Sequence, residues 1–152
     1  MAKFFDTADD VREIIEGHFI ENGLKGYGLS LKVMSCKKSK DVIKLVKANP
    51  ATEYLQKNEG IIMVQVFEEV FDRLDEDAKH MLVDMVLSSV SYDFDKDKVN
   101  IDTNPYNQVF YGRKKYGNIA IDKLEASYLA IQQYEEELKQ QKEEAKAAKK
   151  NK

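Results

Sequence analysis

Two histidines, His18 and His80, and one cysteine, Cys36, are the whole supply of such groups in 152 residues, so metal and nucleophile chemistry have little to work with. His80 and Asp84 stand four apart, the spacing that puts two metal ligands on one face of a helix. They point away from Leu82 and Met85, and no second cluster of His or Cys exists to complete a site. The pair reads as part of a solvated polar face. His18 falls on the apolar side of a helical pattern formed by Val11, Ile14, Ile15 and Phe19, the place of a boundary histidine satisfied by hydrogen bonding. Asp93, Asp95 and Asp97 have the alternate spacing that opens a calcium loop. That loop needs glycine at its sixth position and glutamate at its twelfth, where Lys98 and Asn104 stand, so the aspartates read as turn residues. Cys36 begins the turn CKKSK; without a partner base or second thiol it reads as a plain surface cysteine. Gly23, Gly26 and Gly28 do not open a helix as a phosphate loop would.

The elements that must position these groups follow from periodicity. Thr7, Asp9 and Asp10 open a first helix that Asn22-Gly23 ends. Leu29, Leu31 and Val33 alternate as a half-buried strand, and Val42 to Lys47 is either a strand or a short helix. The apolar, β-branched run Gly60–Val66 predicts a central strand, and a short helical turn from Phe67 leads to Leu74. Asp75 caps a helix predicted from Glu76 to Ser91, apolar over so much of its circumference that it must be packed on more than one side. Tyr92 to Ile101 reads as a β-hairpin and Thr103 to Asn118 as a long loop. A last helix is expected from Ile121 into the charged end EEELKQQKEEAKAAKKNK, where pairs such as Glu135–Lys139 would hold it. The order of elements predicts one α+β domain.

Net charge is −3, so no overall basic field draws the chain to nucleic acid or to an anionic membrane. Two local basic clusters run against that balance: Lys37, Lys38, Lys40, Lys44 and Lys47, and Arg113, Lys114 and Lys115 beside Tyr111 and Tyr116. Cations next to rings can stack bases and neutralise phosphates, which keeps nucleic-acid binding as the alternative function. The single cysteine suits a reducing compartment. The opening MAKFFDTADD has neither signal nor transit character, and no apolar run approaches the length of a membrane span, so no membrane partner is expected.

The segment GIIMVQVFEEVFDRLDEDAKHMLVDMVLSSVSYDFD, with KKSKDVIKLVKANPATEYL before it and IAIDKLEASYLAIQQYEE after it, resembles a zincin-like family of bacteriophage metallopeptidases. The likeness covers roughly residues 10 to 136. It implies a zincin-like domain over residues 1–134, with a central buried helix, a few-stranded sheet and a long C-terminal helix. Residues 135–152 are left as a charged tail, helical or disordered. Zincins hold metal with His-Glu-x-x-His on a helix. On that pattern the histidines fall at Met85 and Ser89 and the glutamate at Val86, and no histidine follows His80. The resemblance therefore implies a pseudoenzyme with no cofactor and no catalytic residue, phage-encoded and at work in the bacterial host cytoplasm or in the virion. Its expected role is protein interaction, as a virion component or a host-takeover factor. The expected contact surface is Tyr92, Tyr106, Tyr111, Arg113, Lys114, Lys115 and Tyr116, since tyrosine offers area and a polar tip at low entropic cost.

Overall fold

The computed structural model describes residues 4–37, 41–56, 60–96, 98–102 and 104–151. The chain runs β1 (Phe4–Phe5), α1 (Asp9–Glu21), a 3-10 turn (Leu24–Tyr27), β2 (Ser30–Cys36), β3 (Ile43–Lys47), α2 (Pro50–Gln56), β4 (Ile61–Val66) and α3 (Glu68–Phe71). It continues with α4 (Glu76–Leu87), β5 (Val90–Asp93), β6 (Lys98–Ile101), α5 (Pro105–Tyr116) and α6 (Asn118–Lys150). This is an α+β fold. The main sheet has the order β1-β2-β4-β3, with β2 parallel to β4 and the outer pairs antiparallel. Val33 and Leu45 both lie in register with Val64, so they share its face, as Leu31 shares that of Ile62. Against this face pack Val11, Ile15 and Phe19 of α1, Val83 and Leu87 of α4, and Ile121 and Leu124 of α6, one continuous core. The opposite face exposes Lys32 and Lys44. The open choice at residues 42–47 is resolved as strand β3, whose antiparallel pairing with β4 supplies the partner that periodicity alone cannot name.

Several expectations need correction. Thr7 does not cap α1; Ala8 holds that place, its N–H donates to Glu68 Oε1, and Thr7 is buried where its hydroxyl accepts from Ser35. Strand β2 runs on through Cys36, whose buried thiol donates to the Val66 carbonyl, so it is no surface cysteine. The central helix α4 begins on its Asp75 cap but ends at Leu87, because the chain turns at Ser88 into β5. The segment read as a long loop is largely α5. Asn104 caps it through the Tyr106 N–H, Pro105 enters at the first turn where its missing N–H costs nothing, and Gly117 ends it at φ +90. Residue 103 lies outside the described residues.

Helix α6 has 33 residues, a rod of about 50 Å. Its inward stripe Ile121, Leu124, Tyr128 and Ile131 belongs to the core or packs on it. Glu135 pairs not with Lys139 but with Arg73 Nη1 at 2.5 Å, and Arg73 lies over the Tyr134 ring. From residue 139 to 151 every described side chain is exposed. Truncation after Leu138 is expected to cost less than roughly 1 kcal/mol, read from urea unfolding midpoints. A larger loss would mean that the end of the rod packs on the body or on another copy. Among the described residues, no helix is long and apolar enough to cross a membrane.

Candidate functional site

Three helices meet at one carboxylate. Asp84 sits on α4 between Val83 and Met85 and is 1% exposed, not on a solvated face. Its Oδ1 accepts from Asn22 Nδ2 and from the Tyr111 hydroxyl, both at 3.2 Å. Its Oδ2 accepts from Lys115 Nζ at 2.7 Å and from the Tyr116 hydroxyl at 2.5 Å. Asn22 is the C-cap of α1, while Tyr111, Lys115 and Tyr116 come from the inner side of α5. Lys115 Nζ also lies over both tyrosine rings.

The electrostatics lock this cluster into one protonation state. Burial pushes the Asp84 carboxyl up, but donors from Lys115, Tyr116 and Asn22 together outweigh it and leave the pKa lowered. The hydrogen bond to Asp84 raises Lys115. Burial and then the Asp84 bond push Tyr116 up to about 12. Near neutral pH the group is carboxylate, ammonium and phenol, with no proton poised to move. A carboxylate has about four acceptor positions, and here four donors use them. Asp84 is thereby spent as a general base or a metal ligand; it is a pin joining α1, α4 and α5.

His18 and His80 lie beside the pin, with Nε2 of one 2.9 Å from Nδ1 of the other. One ring donates to the other. Burial lowers the His18 pKa against the opposing pull of Asp84. Among the described residues no three His, Cys, Asp or Glu side chains are placed to hold a metal ion.

The positions that the resemblance assigns to zinc do not fit it. Met85, Val86 and Ser89 are buried. Ser89 follows the last turn of α4, where Ser88 keeps helical backbone angles, and its hydroxyl donates to the Val86 carbonyl at 2.6 Å. Gly112 of α5 closes over Met85: a Cβ built on that glycine would stand 2.7 Å from the Met85 sulfur. A side chain there would have to displace the ends of Met85 and Ile121.

The surface residues expected from sequence are divided. Tyr111, Lys115 and Tyr116 turn inward onto Asp84. Arg113 is held by Asp122 at 2.9 Å, with Glu125 at 3.7 Å. Tyr92 is half-buried in a separate ring cluster, stacked on Tyr27 and edge-on to Phe94. Tyr106, 81% exposed, and Lys114 remain on the outside. Phe110 at 70% and Ile119 at 88% join them, residues that the loop reading left without a face. The Asn104-Pro105 pair was the available signal, since a capping residue followed by proline opens helices. In the other basic cluster Lys37, Lys44 and Lys47 are exposed, while Lys38 and Lys40 lie outside the described residues. Asp93 accepts from the Asp95 and Lys96 N–H groups as a turn aspartate does; Asp97 lies outside the described residues. No protein-family model matches the chain, and no curated protein or solved structure does either.

Proposed function

We propose that the chain is a non-catalytic protein-interaction module: a zincin-like, phage-type layout whose metal face has become core and whose covering helix displays the contact surface. One observation carries this reading. Helix α5 is fastened by its inner side to Asp84 and Met85 while Tyr106 and Phe110 stand out on the other. A helix held so firmly presents its rings at little further entropic cost, and exposed aromatics are the usual anchors of an interface. The nucleic-acid alternative is weakened because carboxylates already hold two of the three cations at residues 113–115. Action in the host cytoplasm or in the virion is part of the same proposal and rests on the resemblance alone.

The test is capture from bacterial lysate on the immobilised full chain, against the variant Tyr106→Ala/Phe110→Ala. Both side chains are exposed, so the variant should fold within about 1 kcal/mol of the parent. Protein captured by the parent, resistant to nuclease and lost with the variant, is the expected result. Equal capture by both, or retention of nucleic acid alone, overturns the proposal.

A further inference from the structure

We infer that the exposed end of α6 is a docking surface for the phosphate backbone of a nucleic-acid duplex, bound without regard to base sequence. Lys139, Lys142, Lys146, Lys149 and Lys150 are all exposed. On a helix of about 3.6 residues per turn they fall within an arc of about 100°, a single stripe about 17 Å long. Glu143 stands at the edge of that stripe and Glu144 outside it. The rest of the chain has the opposite sign. Residues 139–152 hold six lysines and two glutamates, so the total of −3 is +4 there and −7 over residues 1–138. The rod carries the stripe clear of that acidic body. Among the described residues, Glu135 is the last α6 side chain that an ion pair ties to the body, through Arg73. Lys142 lies about 10 Å beyond it along the axis and Lys150 about 22 Å. Both distances exceed the Debye length of about 8 Å in physiological salt, so the stripe keeps its own positive field.

Charge complementarity and the rest of the segment select the partner. A duplex presents a line of fixed negative charge, about one phosphate per 1.7 Å of axis, so the five ammonium groups can be engaged together and release condensed counterions. An anionic membrane is the poorer match. The other side of this segment offers Gln140, Gln141, Glu144, Ala145 and Ala148, with no large apolar group to enter the acyl region. A single strand is poorer too, because no aromatic ring stands beyond Tyr134 for bases to stack on. Contacts from lysine to phosphate position a protein on a duplex and carry no sequence information. Helix α5 takes no part, so this inference and the reading of α5 as a contact element stand or fall separately.

The experiment is fluorescence anisotropy of a labelled DNA duplex of about 20 base pairs and mixed sequence, titrated with the full chain from about 50 to about 200 mM NaCl. Binding tighter than about 100 μM at about 100 mM salt is expected. The slope of log K against log[salt] should be about −4, since each phosphate neutralised contributes about −0.9. Lys142→Gln/Lys146→Gln/Lys149→Gln exchanges exposed residues of similar helix propensity, and should weaken binding at least about tenfold at about 100 mM salt. A second variant keeps the composition and breaks the stripe. Gln141→Lys/Lys142→Gln/Ala148→Lys/Lys149→Ala moves two lysines to the opposite side of the helix and should make the slope shallower by about 2. No binding by the parent, a triple variant as tight as the parent, or a relocated variant with the parent's slope overturns the inference. So does tighter binding to phosphatidylserine vesicles than to the duplex, which would make the occupant a membrane.

Discussion

Asp84→Ala is expected to destabilise the fold by about 3 kcal/mol, among the largest losses available to a single substitution in this chain. The pin holds by satisfying donors, and its removal leaves the Tyr116, Tyr111 and Asn22 groups facing a space that a methyl cannot fill. Lys115 is half-exposed and recovers water, which keeps the loss below that of a fully buried ion pair. Asp84→Asn keeps the volume but turns an amide toward donors, and should cost roughly 2 kcal/mol. Urea unfolding at pH 7 reads both. Acid should reproduce part of the effect. Because the folded pKa of Asp84 is depressed, its contribution is present above the unfolded value of about 3.9 and is lost as pH falls through the folded value. His18, whose pKa is also lowered, adds an earlier step of the same sign. Its contribution is present above about 6.5 and is lost as pH falls through its folded value. The step below pH 4 should shrink in Asp84→Asn, with Asp102, whose carboxyl is also lowered by donors from Asn104 and Asn107, keeping a part of it, while the histidine step stays. An acid profile identical to the parent's would remove Asp84 from the account.

What could be read in the residues beforehand was the scaffold, because its elements advertise themselves locally. Ile61 to Val66 is continuous and β-branched, and Val11, Ile15 and Phe19 keep the helical period, so β4 and α1 stand where expected. The candidate site was not legible, for two physical reasons. Helix α5 contains Asn107, Gly112 and three tyrosines, a composition of low intrinsic helicity, and packing on α4 outweighs it. Gly112 weakens a helix in isolation, and here it leaves space that the ends of Met85 and Ile121 occupy. Asp84 misled for a related reason. A charged residue in an apolar helix looks like its solvated side until donors from elsewhere are known. Those donors sit 62 residues upstream and 27 to 32 residues downstream. Only tertiary structure joins them.

The second large effect concerns the face that a zincin would use for metal. Converting Met85 and Ser89 to histidine and Val86 to glutamate is expected to cost roughly 3–6 kcal/mol, because three polar groups would be buried without partners. The Met85 side chain is buried against Gly112 of α5, so a polar imidazole there would have no solvent to face. Metal binding also needs supporting groups around its ligands, and here the nearby donors are committed to Asp84. Zinc therefore has no binding free energy to return to the fold. The direct measurement is the thermal unfolding midpoint of Met85→His/Val86→Glu/Ser89→His with and without equimolar zinc. A midpoint well below the parent's and unmoved by zinc is predicted if α5 has closed this face into core. A midpoint close to the parent's and raised by zinc would show an open cleft and contradict the account.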